Sequence, residues 1–127
     1  MGYTLYWNYH RVLPNVFQRF VKVASELIAY PLNTSETTCT MVVPDEDRCE
    51  AFYISQYHAG FNFCKTRQLP YTKDVAICMI LMYEFGLADD LSIDDDISVF
   101  LEPLEEVNQR HPLTSYEELK TIFTSDI

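Results

Sequence analysis

Glycine is scarce in this chain, with three residues among 127. Gly-rich phosphate-binding loops need closely spaced glycines, because their backbone must approach the phosphate. Long apolar runs are missing as well, since the longest, residues 75–83, has nine residues whereas a membrane-spanning helix needs roughly 20. We therefore expect neither a Gly-rich phosphate cradle nor a segment that crosses a membrane.

The cysteines lack the spacing of a metal site. No two of them form a C-x-x-C pair, and no histidine lies at the spacing that zinc sites use. The N-terminus, residues 1–4, has no basic region followed by an apolar segment, as a secretory signal would. We expect no metal and no cofactor, a cytoplasmic location, and free, mostly buried thiols at Cys39, Cys49, Cys64 and Cys78.

Negative charge is concentrated near the C-terminus. The net charge is −10, and residues 89–127 carry eleven acidic and two basic side chains. Such a surface repels nucleic acid and anionic membranes but attracts basic proteins, including nucleic-acid-binding proteins whose cationic grooves it can block. We expect a basic partner protein to be bound by Asp89, Asp90, Asp94, Asp95, Asp96, Glu102, Glu105 and Glu106.

Segments rich in β-prone residues predict a sheet of about four strands. Residues 3–9 are expected to form a strand or an extended arm. Residues 37–43 and 49–55 are expected to form a hairpin around an acidic turn, and residues 61–66 to extend it into an antiparallel meander. A further short strand is expected at residues 97–101.

Apolar residues at helical spacing predict two main helices. The first is expected over residues 15–30 and begins with a capping box of Asn15 and Gln18. The second is expected over residues 73–85, with Gly86 as its C-cap. The second helix has almost no polar face, so we expect it to be buried.

Two short helices are expected near the C-terminus. One covers residues 103–110, and another follows a capping box of Ser115 and Glu118. Together these elements predict one α+β domain over residues 1–127. We expect an antiparallel sheet of about four strands with the two main helices packed on it, and short C-terminal helices.

A basic cluster, Lys65, Thr66 and Arg67, lies at the junction where the strand at residues 61–66 ends, close to the start of the second helix. Such side chains, together with the free amides of a helix N-terminus, bind phosphate or carboxylate groups. In the alternative, the acidic C-terminal segment of the same chain neutralises these cations. If they are free, we expect His58 or Tyr71 nearby to complete a small-anion or enzymatic site.

The aspartates of residues 89–96 do not fit a calcium loop. In an EF-hand that begins at Asp90, Asp95 stands where glycine is required and Leu101 where a bidentate glutamate belongs. A solvated acidic loop and a contact for a basic protein remain open. No Gly-flanked nucleophile turn accompanies the cysteines, so no catalytic residue is assigned among them or among His10, His58 and His111.

The sequence Phe-Asn-Phe-Cys-Lys-Thr-Arg at residues 61–67 is followed by Pro70, Tyr71 and an apolar helix. An F-x-F-C-K-T strand end, a Pro-Tyr helix start and a later Ser/Asp-rich turn recur in small uncharacterised proteins of bacteriophages and other large DNA viruses. Over residues 50–101 the chain resembles this family. The resemblance implies a viral accessory protein in the host-cell cytoplasm and implies no particular activity.

Three functions from different classes fit these observations. The one we expect is a non-enzymatic protein that binds a host or viral protein through its acidic surface, as a nucleic-acid mimic or an anti-defence inhibitor. The second is a small-anion or enzymatic site at Lys65 and Arg67. The third is a homo-oligomeric structural or assembly protein that makes its contact through the aromatic N-terminal residues Tyr3, Tyr6, Trp7 and Tyr9.

Overall fold

Six β-strands and four α-helices occur in the part of the chain that the computed structural model describes, residues 3–125. The strands are β1 (Thr4–Tyr9), β2 (Leu32–Thr34), β3 (Thr38–Met41), β4 (Tyr53–Ser55), β5 (Gly60–Lys65) and β6 (Ala88–Ile93). The helices are α1 (Pro14–Leu27), α2 (Thr72–Glu84), α3 (Leu101–Arg110) and α4 (Tyr116–Thr124), and short 3₁₀ helices lie at Asp45–Asp47 and Ile97–Phe100. Met1 and Gly2, part of the segment in which we expected no secretory signal, lie outside the described residues, as do Asp126 and Ile127.

The strands form two antiparallel sheets of three strands each, in the orders β5-β1-β6 (sheet I) and β2-β3-β4 (sheet II). The α+β class is confirmed, but the single sheet of about four strands is wrong in detail. β3 and β4 pair as the expected hairpin, whereas β5 pairs with β1 instead of extending the meander. β1 is therefore the central strand of sheet I and not an extended arm, with Leu5, Trp7 and Tyr9 buried on its inner side.

Helix α2 is buried almost throughout. All of residues 74–82 are buried, and the helix contacts α1, α3 and β6. The expected buried helix is confirmed, with each end shifted by one residue. Gly86, which follows it, has a φ of 81° and ends the helix as expected, because this left-handed conformation suits glycine.

One carboxylate, that of Asp74, is buried in the first turn of α2. Its Oδ2 accepts hydrogen bonds from the backbone N–H groups of Ala29 and Tyr30, each at 2.9 Å. Burial raises the pKa of Asp74, and these two bonds oppose the shift. Asp74 thereby connects the end of α1 to the start of α2.

The acidic stretch contains a strand that the sequence pattern did not reveal. β6 lies there, whereas residues 97–101, which we expected to be a strand, form the 3₁₀ helix and the first residue of α3. β6 pairs with β1 through a bulge between Tyr6 and Asn8, near which Asp90 has a φ of 52°. Because the bulge leaves both Ala88 and Leu91 buried, the two-residue alternation typical of a strand is lost.

The two capping boxes expected at α1 and α4 are wrong. At α1, the Gln18 side chain donates to the carbonyl oxygens of Ser35 and Glu36 instead of to its own helix. At α4, the Ser115 hydroxyl makes no cap bond and donates to Glu84 instead. Contacts with other elements have replaced the local bonds that the sequence spacing suggested.

Glu84, in the last turn of α2, caps α4 from outside that helix. Its carboxylate accepts the backbone N–H groups of Thr114 and Ser115, both at 3.0 Å, and both of their hydroxyls. Desolvation opposes ionisation, but these hydrogen bonds together lower the pKa of Glu84. We expect Glu84→Ala to reduce the free energy of unfolding by about 1 kcal/mol, the usual contribution of a helix cap.

The contribution of Glu84 to the free energy of unfolding should decrease at acid pH, because its pKa is lower in the folded state. It should be complete above pH 4.5, the ordinary pKa of this carboxyl, and should disappear as the pH falls through the lower pKa of the folded state. Thermal unfolding followed by the fluorescence of Trp7, the single tryptophan, measures it. Glu36→Ala is the control, since that carboxylate has no hydrogen bond or ion pair within residues 3–125. An equal loss of stability at acid and neutral pH would contradict the capping role.

Candidate functional site

The outer side of sheet I is open to solvent. Alternate residues of its three strands face outward, opposite the buried inner side. These outward residues form three cross-strand rows, which we call the open face: Phe61 with Asn8 and Asp89, Phe63 with Tyr6 and Ser92, and Lys65 with Thr4 and Asp94. Thr4 is the buried member of these rows. The open face therefore brings together three features that are separate in the sequence: an N-terminal aromatic residue, a basic residue and acidic residues.

Aromatic rings cover the part of the open face formed by β1 and β5. Phe61 is 70% exposed and Phe63 is 54% exposed, which is unusual for such large apolar side chains. The ring centroid of Tyr6 lies 5.6 Å from that of Phe61 and 6.4 Å from that of Phe63. These three rings form one contiguous aromatic patch, in which Phe61 and Phe63 are exposed and Tyr6 is half-buried.

Carboxylates occupy the β6 side of the open face. The Tyr6 hydroxyl donates to Asp94 Oδ1 at 2.8 Å, and this bond raises the pKa of Tyr6. At the other end of the strand, Asp89 Oδ2 lies 3.0 Å from His10 Nε2, and Asn8 also donates to Asp89. The bond with His10 lowers the pKa of Asp89, so this carboxylate is ionised at neutral pH.

The eight expected acidic residues do not form one patch. Asp89 and Asp90 lie near the start of β6 and Asp94 follows its end, so the two groups are roughly 15 Å apart at the rise of a strand. Asp96 accepts the N–H of Ser98, whose bond lowers the pKa of Asp96. Only three of the eight have no hydrogen bond or ion pair within residues 3–125: Asp90, Asp95 and Glu102.

The remaining two, Glu105 and Glu106, lie on α3 and are bound to other helices. Glu105 accepts the Tyr116 hydroxyl and lies 3.9 Å from Lys120 Nζ. Glu106 forms an ion pair of 2.8 Å with Lys73. These contacts connect helices and leave less negative charge free on α3 than the sequence suggests.

The basic cluster is divided between two environments. Lys65 faces outward on the open face and Arg67 is exposed in the following turn, and neither forms an ion pair with any described residue. Thr66 is fully buried, and its hydroxyl donates to the carbonyl of Tyr3 at 3.4 Å. Arg67 and Gln68 have φ values of 56° and 61° and form a tight turn that separates the cluster from α2.

Tyr71, which we expected beside an anion site, has a structural contact instead. It is fully buried, and its hydroxyl donates to the carbonyl of Glu50 at 2.7 Å and accepts the N–H of Cys49 at 3.2 Å. Burial raises the pKa of Tyr71. Its hydroxyl holds the segment at Glu50 against the end of β5, where the Glu50 N–H donates to the carbonyl of Lys65 at 2.9 Å.

Three of the four thiols are packing groups of the core. All four cysteines are free, and Cys39, Cys64 and Cys78 are buried. Burial raises the pKa of both Cys39 and Cys64 to about 12, so these thiols are neutral at physiological pH. The His58 ring packs edge-on against Tyr53 at 6.1 Å.

In comparisons with known proteins, no family model, no curated protein and no solved structure matches this chain. Among residues 3–125, no three His, Cys, Asp or Glu side chains are grouped as metal ligands. No helix of that region is both long enough and apolar enough to cross a bilayer.

A cleft of about 320 Å³ lies between α2 and α3, lined by Leu27, Lys73, Ile77, Glu106, Val107, Gln109 and Arg110. Its charged side chains are already bound: Lys73 to Glu106, and Arg110 to the carbonyl of Glu26 at 2.9 Å. Of the surfaces described, the open face is the one that combines exposed apolar area with charge, so it is the best-supported site.

Proposed function

We propose that this chain is a non-enzymatic binding protein that takes a basic partner protein on the open face. The observation that supports this function is the contact between exposed rings and a carboxylate, in which Tyr6 stacks on Phe61 and donates to Asp94. Large exposed aromatic groups beside polar ones are typical of protein interfaces. The acidic surface expected from the sequence then contributes through two of its members, Asp89 and Asp94.

The chemistry of the open face suits arginine and lysine side chains. An aromatic ring attracts a cation over its face, and a carboxylate accepts two parallel hydrogen bonds from a guanidinium group. Asp94 keeps one oxygen that does not bind Tyr6, and both oxygens keep unused lone pairs. A cationic side chain that reaches β6 therefore finds a carboxylate next to an aromatic ring.

The dimensions of the open face restrict the segment that fits it. Three strands at a spacing of about 4.8 Å give a width of roughly 10 Å, close to the diameter of an α-helix. The two carboxylates, roughly 15 Å apart along β6, match cations about eleven residues apart on a helix, which lie on one side of it because three turns take about 11 residues. We therefore expect the partner to present an amphipathic helix with apolar residues on one face and basic residues along one flank.

The remaining acidic residues act at longer range. Residues 89–127 carry most of the net negative charge, which speeds the encounter with a basic protein and makes binding sensitive to salt. In its narrower form, and following the resemblance to viral proteins, we propose that the partner is a host or viral nucleic-acid-binding protein such as a defence nuclease. Acidic side chains would then stand in for nucleic-acid phosphates.

The small-anion alternative has less support. Thr66 is buried and its hydroxyl is bound to Tyr3, so it does not reach a ligand. Lys65 and Arg67 are without ion pairs but are separated from the N-terminus of α2 by a tight turn. A cation without a partner on a protein surface is ordinarily solvated and is not by itself an anion site.

Asp94→Asn tests the role of charge while keeping the hydrogen bond. Asparagine retains an oxygen that accepts from Tyr6, so the rings should stay in place and only the negative charge is removed. With a synthetic amphipathic helix that carries leucines on one face and two arginines eleven residues apart on one flank, we expect about tenfold weaker binding and a smaller salt dependence. Fluorescence anisotropy of the labelled peptide measures both.

The matched control is Glu46→Gln, which removes one charge from the 3₁₀ helix between β3 and β4, outside sheet I. It should leave binding unchanged within about twofold, as expected for an exposed charge outside the interface. A peptide with glutamate in place of arginine should not bind. Equal losses for Asp94→Asn and Glu46→Gln would show a general charge effect and no site.

A further inference from the structure

Strand β5 lies at one edge of sheet I, where it pairs with β1 and with no other strand of residues 3–125. The Thr66 N–H donates to the carbonyl of Tyr3 at 2.9 Å, so Tyr3 and Thr66 form a hydrogen-bonded pair. In an antiparallel ladder such pairs alternate with pairs whose backbone groups point away from each other. The register of β1 and β5 therefore directs the N–H and C=O groups of Phe61, Phe63 and Lys65 toward the open edge.

The end of this edge at Lys65 is already occupied. The Lys65 N–H donates to Glu50 Oε1 at 2.7 Å, and the Lys65 carbonyl accepts the N–H of Glu50 at 2.9 Å. Within residues 3–125 no group bonds the outward N–H or C=O of Phe61 or Phe63. Four backbone groups thus remain open on a segment only three residues long.

This segment lacks the devices that usually protect an edge strand. Residues 59–63, Ala-Gly-Phe-Asn-Phe, contain no charged residue and no proline. The irregularity of sheet I is in the pairing of β1 with β6, on the opposite edge. An exposed, uncharged aromatic edge of this kind readily accepts another strand.

We propose that two copies of this chain pair antiparallel along β5, about a two-fold axis at Asn62. In this register the outward N–H and C=O of Phe61 bond those of Phe63 in the second copy, and the same two bonds form again across the axis. All four open groups of each copy are then satisfied. The two sheets become one sheet of six strands in the order β6-β1-β5-β5-β1-β6.

Charge draws a basic foreign segment away from this edge and opposes a second copy only weakly. A basic segment is attracted to the carboxylates of β6, which form the opposite edge of sheet I. In the paired sheet, strand spacings of about 4.8 Å place the two β6 strands roughly 24 Å apart. That distance exceeds two screening lengths of about 8 Å each, so the carboxylates of the two β6 strands repel little although each chain carries −10.

The aromatic patch also favours pairing between two identical copies of the chain. Phe61 of one copy comes to lie beside Phe63 of the other, so the two patches join into one stripe of six rings across the axis. The open face remains uncovered in the pair, and its carboxylates lie at both ends of the stripe. The inference does not rest on the proposed function, and each can fail without the other.

Phe63→Pro tests the pairing through the backbone. Proline removes one outward N–H, and no hydrogen bond of the β1 ladder depends on that group. Two of the four bonds across the axis are lost, and we expect the dimer dissociation constant to rise on the order of 100-fold. Phe63→Val removes the ring but keeps the N–H, and it should still dimerise. Comparing the two variants distinguishes the effect of the backbone N–H from that of the aromatic ring. Sedimentation over a range of concentrations gives the mass, and the fluorescence of Trp7 checks the fold.

The register is tested by cross-linking. The Cα atoms of the two Asn62 residues should be about 4.5 Å apart across the axis, within the range of a disulfide. Under mild oxidation Asn62→Cys should give a covalent dimer above the background of the unsubstituted chain, and Phe61→Cys should not. Cross-linking through Phe61→Cys instead would overturn the register.

Other outcomes would overturn the pairing itself. These are a monomeric mass at every concentration, or a Phe63→Pro variant that dimerises as strongly as the unsubstituted chain. A third outcome is a monomer that binds an extended segment of a different protein and no longer binds it after Phe63→Pro. The edge would then pair with a strand of another protein and not with a second copy. If the unsubstituted chain dimerises but does not bind the basic amphipathic peptide, the proposed function alone is contradicted.

Discussion

Replacing Phe61 and Phe63 together with serine should abolish binding of the basic amphipathic helix, by more than about 100-fold, and leave the fold intact. Aromatic residues at the centre of an interface commonly contribute 2 kcal/mol or more each to binding, so two of them account for this loss. The fold should survive because the rings are 70% and 54% exposed and do not belong to the core. The same peptide and the same anisotropy assay that test Asp94 measure the effect.

A matched control removes exposed apolar groups elsewhere. Leu13 is 69% exposed and Val42 is 49% exposed, and both lie outside sheet I. The double substitution Leu13→Ser with Val42→Ser should leave peptide binding unchanged. If the two double variants lose binding to the same extent, the peptide recognises apolar surface in general and the open face is not a site. Unfolding midpoints followed by Trp7 show whether either variant is damaged.

The sequence predicted the elements of this fold better than their arrangement. Residues 73–85 were identified as a buried helix because nearly every side chain is apolar, and the helix differs by one residue at each end. β1 and β5 were identified from their aromatic and β-prone residues. Their pairing was not, because Thr4 and Lys65 meet across 60 residues whereas local reasoning joined β5 to the preceding hairpin.

β6 was missed for a different physical reason. Near Asp90 a bulge interrupts the two-residue alternation, and the surrounding aspartates are typical of a loop. The capping box predicted at α4 was wrong for a similar reason. The spacing of Ser115 and Glu118 suggested bonds within α4, whereas the N–H and hydroxyl of Ser115 donate to Glu84 on α2. Periodicity and spacing report local preferences, and tertiary contacts override them at single positions.

The exposure of the open face is the feature that was hardest to predict from the sequence. Phe61 and Phe63 are two residues apart in β5 and therefore share a face of the strand. The two-residue alternation of a strand does not indicate which of its faces is covered. The structure turns Cys64 inward and leaves both phenylalanines in solvent. In sequence terms, the pattern of this exposed binding surface is large rings at alternate positions of a strand with a cysteine on the other face.

The largest effect on stability is expected for Phe123→Ala. Phe123, on α4, is fully buried and stacks on Phe100 with ring centroids 4.8 Å apart and planes 15° apart. Removing such a ring leaves a cavity as well as the lost contact, so we expect the free energy of unfolding to fall by about 3–5 kcal/mol. Because domains of this size are stable by about 5–15 kcal/mol, that loss is a large share of the total.

Denaturant unfolding followed by Trp7 fluorescence measures this loss, with Thr121→Ala on the exposed side of α4 as the control. The control should change the free energy of unfolding by less than about 0.5 kcal/mol. Phe123→Leu should recover part of the loss, because it refills part of the cavity. A midpoint that Phe123→Ala leaves unchanged would mean that α4 unfolds separately from sheet I, where Trp7 lies. In that case the stack of Phe100 and Phe123 would stabilise the C-terminal helices alone and not the sheet that presents the open face.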